Sequence, residues 1–189
     1  MINVLDYLQI LNSTDVMLFY LINIHLQNPV FDILMPIITN LGLYIFWVGV
    51  CLVLAIFGGK KGREVALLLI IGILIGHFLS DFLKVVFNRP RPFMALTGVH
   101  QLATVGNFSF PSGHATEIFI ACIILAKKYG HILIFMLLAI VIGFSRVYIG
   151  VHYPGDVISG ALLGAGVAFL VLYFEKDILK LKNRLEIKD

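Results

Sequence analysis

Three short polar stretches hold the residues of this chain whose types and spacing can do chemistry. KVVFNRPRP, residues 84–92, supplies Lys84 and Arg91; FPSGH, residues 110–114, supplies Ser112, Gly113 and His114; SRVYIGVHYPGD, residues 145–156, supplies Arg146, His152 and Asp156. Lys84, Arg91 and Arg146 are three cations. Arginine forks match phosphate oxygens in pairs, and lysine adds a compact point charge. Ser112 suits the N-cap of a helix that starts after Pro111, and Gly113 gives that helix an unobstructed backbone N–H. The free N–H groups and positive dipole end of a helix N-terminus attract anions. Together these groups form a cage for a tetrahedral dianion, for which phosphate is the obvious guest.

His152 and Asp156 flank the turn Tyr153-Pro154-Gly155. Pro154 suits a helix start, which places Asp156 in the first helical turn. A carboxylate there accepts the proton of one imidazole nitrogen of His152, fixes the tautomer and leaves the other nitrogen to attack. His114 remains to protonate a departing oxygen and then to activate water. No carboxylate cluster of the kind Mg²⁺ wants accompanies these residues, so neither a metal nor another cofactor is expected.

Other polar residues have plainer readings. His25, His77, His100 and His131 cap helices or bond carbonyls. Arg89, Lys127 and Lys128 reach toward lipid headgroups, as long basic side chains do at a membrane surface. Asp81 pairs with Lys84 or faces an aqueous pocket. Glu117, one turn into an apolar stretch, either tunes His114 or bonds a neighbouring helix. Cys51 and Cys122 lie inside apolar runs and pack there.

The elements that must position these residues are membrane spans. Of the 189 residues, 60% are hydrophobic and 13% charged, with a net charge of +3. Mean hydropathy is +0.98. A soluble domain rarely has that balance, and several apolar runs approach the roughly 20 residues that cross a bilayer. No basic arm suggests nucleic-acid binding. The opening MINVLDYLQILNSTD lacks the pattern of a cleaved signal peptide.

The expected architecture is an all-α, polytopic helical bundle forming a single domain over residues 1–189, with its motif core at about 80–165. Spans are expected at 42–58, 64–84, 113–127, 131–150 and 156–174. Residues 14–40 form a sixth, tilted or broken, or else two short interfacial helices, leaving five spans. A short amphipathic helix is expected over 3–12. Gly72 and Gly76, and Gly160 and Gly164 with Gly166 beyond, have the spacing that lets helices approach closely.

The basic segments, GGKKGR at 58–63, Lys127-Lys128 and the tail, fall on one side if the spans alternate. The positive-inside rule makes that side cytoplasmic, with both termini, in a multi-pass protein of the cell membrane. The three polar stretches then lie at helix ends on the outer face. Residues 93–110 carry few charges and suit a lid or an entry lip.

In this order the stretches resemble the signature of the type-2 phosphatidate phosphatase superfamily of membrane lipid phosphatases. K-x6-R-P matches Lys84 to Pro92, P-S-G-H matches Pro111 to His114, and S-R-x5-H-x3-D matches Ser145 to Asp156, with no position departing. The resemblance implies that His152 is the nucleophile that forms a phosphohistidine, Asp156 its orienting partner and His114 the general acid. Lys84, Arg91, Ser112, Gly113 and Arg146 would cradle the phosphate. It also implies metal-free chemistry, with the cations taking a metal clamp's role, and inhibition by vanadate.

The partner expected is a lipid phosphate in the bilayer. An undecaprenyl or related polyprenyl diphosphate fits best; phosphatidylglycerophosphate and phosphatidate are alternatives. A lipid phosphotransferase would use the same residues. A non-catalytic lipid-binding or transport protein would not need His152, His114 and Asp156 intact. The sequence does not give the oligomeric state.

Overall fold

The computed structural model describes residues 4–106 and 108–186, and every regular element among them is helical. Helix α1 (Val4–Tyr20) runs without a break into a π-helical turn, Leu21–His25. The short helix expected over 3–12 is therefore part of a longer one, with residue 3 outside the described residues. Neither glycine nor proline interrupts residues 4–25, and the Ser13 hydroxyl is satisfied within the helix by donating to Ile10 O at 2.9 Å. The interruption comes at Asn28-Pro29. Asn28 Oδ1 accepts from Phe31 N at 2.9 Å and Pro29 occupies the first turn of α2 (Pro29–Thr39). A side-chain cap followed by proline starts a new helix in a new direction. The chain bends by 118° between segments 9–25 and 29–42.

A 3₁₀ turn, Asn40–Gly42, leads into α3 (Tyr44–Phe57), α4 (Gly59–Phe87) and the single-turn α5 (Pro92–Ala95). Then follow α6 (Gly113–Tyr129), α7 (Ile132–Tyr148), α8 (Pro154–Tyr173) and α9 (Glu175–Glu186). All six expected spans are thus helical. By length and hydropathy two described helical stretches are sufficient to cross a membrane, residues 59–95 and 154–173, or three if the bent first pair is one broken span. Helices α3 and α7 are apolar but shorter, at 14 and 17 residues.

Helix α6 forms the axis of the bundle, with α4, α7 and α8 packed around it and α3 against α4. Ile118, Ile120, Ala121, Cys122 and Ile124 of α6 are fully buried. A helix wrapped in protein has no need to match the lipid thickness or to be apolar throughout, so α6 carries Thr116 and Glu117 in its interior. The glycine pairs make the close approach possible. A Cβ on Gly160 would lie 2.4 Å from Ser112 O, and one on Gly164 2.4 Å from Thr116 O, so α8 rests on the backbone of α6. From α4, a Cβ on Gly76 would meet Ile120 Cδ1 at 2.3 Å. Gly166 differs from the expectation: a Cβ there would meet nothing within 4 Å.

Large apolar side chains such as Phe57, Phe78, Leu133 and Leu162 point outward. An apolar exterior on this scale is a lipid-facing surface. At one end of the bundle the basic segments gather. Lys61 Nζ lies 4.7 Å over the Tyr129 ring, and Lys128 pairs with Glu175 at the start of α9. Lys128 therefore does not simply reach for headgroups. The three polar stretches occupy the opposite ends of α4, α6, α7 and α8.

Candidate active site

Each polar stretch is built by a helix end. The last turn of α4 holds Lys84, whose Nζ donates to Asp81 Oδ1 at 2.7 Å. Asn88 then stops the helix in a left-handed conformation (φ 49°), and Arg89 and Arg91 follow in extended chain. At the start of α6, Ser112 Oγ accepts from Ala115 N at 3.4 Å, the expected N-cap. Ser112 N donates to Asp156 O at 3.0 Å, which ties the start of α6 to the start of α8. The last turn of α7 carries Arg146, which is buried. Arg146 Nη1 donates to Thr39 Oγ1 at 2.7 Å, whereas Nε has no hydrogen-bond partner among the described residues.

These ends enclose a cavity of about 220 Å³. Lys84, Arg91, Gly113, His114, Arg146 and His152 all line it. Segments far apart in the chain are thus brought to one place. The two other expected residues, Ser112 and Asp156, are fully buried behind its wall. A Cβ on Gly113 would lie 3.3 Å from Lys84 Nζ, a tight contact that glycine spares that ammonium beside the helix N-terminus. Gly42 is similarly pressed, since a Cβ there would come within 3.0 Å of His114 Cδ2.

The His152 ring is oriented by what surrounds it. Arg91 Nη1 donates to His152 Nε2 at 3.2 Å and to Val151 O at 2.8 Å. A guanidinium can only donate, so Nε2 is the unprotonated nitrogen and Nδ1 carries the proton. Nδ1 faces Asp156 Oδ2 at 3.5 Å, longer than the direct hydrogen bond expected. Ser109 Oγ stands beside them, 3.5 Å from Nδ1, and donates to Asp156 Oδ2. Burial, aided by Arg146 and Arg91 and opposed by Asp156, pushes the His152 imidazole down to about 4. The ring is therefore neutral at pH 7.

Asp156 is held from several sides. Its Oδ2 accepts from Tyr153 N at 2.9 Å, and its Oδ1 accepts from Arg89 Nη1 at 2.6 Å. Arg89 does not reach for headgroups. It lies over the Tyr153 ring, 3.8 Å from the centroid, and its Nη2 donates to Asp15 Oδ2 at 2.7 Å. Asp15 Oδ1 in turn accepts from Gly155 N at 2.6 Å. A carboxylate from α1 thus satisfies an orphan N–H at the start of α8.

Two further expectations are resolved. Glu117 contacts α4 rather than His114, with Oε1 2.9 Å from His77 Nδ1. Residues 93–106, part of the stretch expected to form a lid or an entry lip, are tied to the bundle by hydrogen bonds. Leu102 N donates to Ile149 O at 3.1 Å, Tyr20 OH to Thr97 O at 2.9 Å, and Arg91 Nε to Gly106 O at 3.1 Å. Buried Asn23 locks the same loop, donating to His100 O and Tyr148 O and accepting from His100 N.

Asp15, Thr39, Gly42, Arg89 and Ser109 carry no pattern in the sequence that marks them. The one signal is at Arg89, an arginine on the side that the positive-inside rule leads one to expect is outer.

A helical bundle with an apolar exterior, and a cavity at its end that joins cations, imidazoles and a helix N-terminus, defines a membrane phosphatase. The family model of the PAP2 superfamily matches residues 65–180. The chain belongs to that superfamily. An undecaprenyl-diphosphatase of Sulfolobus acidocaldarius is 34% identical over 178 residues, 91% of this chain and 84% of its own. Among solved structures, Aquifex aeolicus LpxE is 33% identical, with a TM-score of 0.75 over 84% of this chain and 94% of its own. The PAP2-type phosphatidylglycerolphosphate phosphatase of Bacillus subtilis is 27% identical, with a TM-score of 0.76 over 89% and 87%.

Proposed function

We propose that the protein hydrolyses a polyprenyl diphosphate through a phosphohistidine on His152. The observation that supports this best is the direction of His152 Nε2, which faces the cavity cation Arg91 with its lone pair. In the first step Arg91 turns its N–H from Nε2 to a phosphate oxygen, Nε2 attacks the terminal phosphorus and the bond to the leaving oxygen breaks. His114 gives that oxygen its proton. In the second step His114 takes a proton from water, the hydroxide attacks the phosphohistidine, and the P–N bond breaks. Inorganic phosphate leaves and both imidazoles return to their starting states. Lys84, Arg91, Arg146 and the N–H of Gly113 stabilise charge on the transferring oxygens. Ser112 supports that N–H by capping the helix. Asp156 holds the Nδ1 proton in place, by itself and through Ser109, and Arg89 positions Asp156.

The whole chain acts as one domain, because Asp15, Thr39 and Gly42, which precede the matched region, reach the site. The basic end faces the cytoplasm with the termini, and the cavity opens on the extracytoplasmic side. The polyprenyl reading follows the name of the Sulfolobus relative. Phosphatidylglycerophosphate is the second reading, favoured by the extent of the Bacillus structural match.

Phosphate release by the purified protein from prenyl diphosphates, phosphatidylglycerophosphate and phosphatidate tests both. The expected result is the highest kcat/KM on a prenyl diphosphate, abolished in His152→Ala. A higher value on phosphatidylglycerophosphate would select the second reading, and full activity in His152→Ala would end both.

A further inference from the structure

The polar cavity adjoins an apolar one. Tyr44 and His77 line its α3–α4 edge, and the same two side chains line a second cavity of about 290 Å³. The other walls of that cavity include Trp47, Cys51, Ile73 and Leu74. A lipid phosphate fits this pair in one sense only, with its head among the cations and its tail between α3 and α4. Tyr44 and His77, whose rings lie 5.9 Å apart, then mark the junction of head and tail.

His77 is an unusual residue for that place. Its side chain is 50% exposed, on a helix face where Leu74 and Phe78 point outward. A polar ring on an apolar, lipid-facing surface is costly unless something binds it. The protein holds the ring in a fixed orientation. Nδ1 lies 2.9 Å from Glu117 Oε1 on α6, and Nε2 lies 3.5 Å from Asp81 Oδ2 one turn along α4. Both contacts are to carboxylate oxygens, which accept, so the ring that meets both carries an N–H on each nitrogen. Asp81 itself is engaged by Lys84 at 2.7 Å, which leaves the Nε2 contact long and open to a better acceptor. The charged and titratable groups around His77 are Asp81 and Lys84 on α4, Glu117 on α6 and Tyr44 on α3.

The geometry points to His77 as the residue that binds the second phosphate of a lipid diphosphate. With the terminal phosphate among Lys84, Arg91 and Arg146, the phosphate that stays on the lipid lies at the junction, and His77 Nε2–H donates to it. Glu117 is the positioning residue, because it fixes the ring through Nδ1. A lipid monophosphate has no group at that place, so His77 selects diphosphates. This rests on the phosphatase reading above, and it deepens that reading by naming what distinguishes the substrate.

The test uses the purified full-length protein in detergent, with geranylgeranyl diphosphate and geranylgeranyl monophosphate as probes. His77→Phe keeps the ring shape and loses the donor; His77→Gln restores an amide N–H near the position of Nε2. A hydrogen bond to a charged group corresponds to roughly a ten- to hundredfold change. His77→Phe is expected to lower kcat/KM on the diphosphate by that amount, mainly through KM, and on the monophosphate by less than about threefold. His77→Gln is expected to recover most of the loss, and Glu117→Gln to show a weaker form of the same selective defect. An equal fall on both substrates, or no fall on either, would overturn the inference while leaving the phosphatase reading intact. A wild-type protein that releases phosphate from neither probe would overturn both.

Discussion

The two ends of α6 lie in the same bundle but treat polar groups in opposite ways. At the N-terminal end Ser112, Thr116 and Glu117 are buried, beside Asp156 and Arg146 from neighbouring helices. At the C-terminal end Lys127 and Lys128 close the helix, and Lys128 meets a half-buried Glu175 in a simple pair. A buried polar group costs several kcal/mol unless it is fully partnered. The N-terminal end meets that cost by mutual satisfaction. Asp15, Arg89, Asp156, Ser109 and Tyr153 N form one connected set. The groups that remain under-satisfied there, Arg146 Nε and the long His152–Asp156 contact, border the cavity wall. The lesson is that the basic end sets the edge of the bundle, while the polar end is organised around a guest.

Substitutions at the two ends should therefore differ by orders of magnitude. Asp156→Asn releases the Nδ1 proton of His152 and weakens the hold of Arg89, and kcat is expected to fall about 10⁴-fold with lipid binding retained. Arg146→Lys replaces a buried fork by a point charge, and a fall of about 10²- to 10³-fold in kcat is expected from steady-state phosphate release. Arg89→Ala should cost about ten- to a hundredfold, because it touches the carboxylate and not the phosphate. That loss should appear in kcat more than in KM. At the other end Lys128→Ala should leave turnover within about twofold and change stability by no more than about 1 kcal/mol. A loss at Lys128 matching that at Arg89 would remove the distinction between the ends.

The convergence of much of the polar end is legible in the sequence, because its polar groups sit at fixed spacing within single helix ends. Lys84 and Arg91 are separated by one helix stop, and His152 and Asp156 by one helix start, so local geometry brings them near each other. Ser112 and Gly113 follow from the rules of helix N-termini. The supporting residues were not legible for the converse reason. Asp15 meets Gly155 and Arg89 across most of the chain, and Thr39 meets Arg146 across α3 to α7. No local pattern encodes such contacts. Ser109 escaped notice because a hydroxyl in a loop has many uses. Arg89 was misassigned because an arginine beside apolar spans resembles a headgroup anchor. The run of α1 to residue 25 escaped notice because polar residues at 12–15 resemble a break when their hydrogen bonds cannot be seen.

The central claim is that the phosphoryl group rests on His152 between the two steps. The most direct measurement is a rapid quench into alkali with a lipid diphosphate labelled in its terminal phosphate, followed by mapping of the labelled peptide. The account predicts an acid-labile, alkali-stable label on the peptide containing His152, formed and lost at rates that support turnover and absent in His152→Ala. A label on His114, or full turnover with no labelled protein at any time, would contradict it.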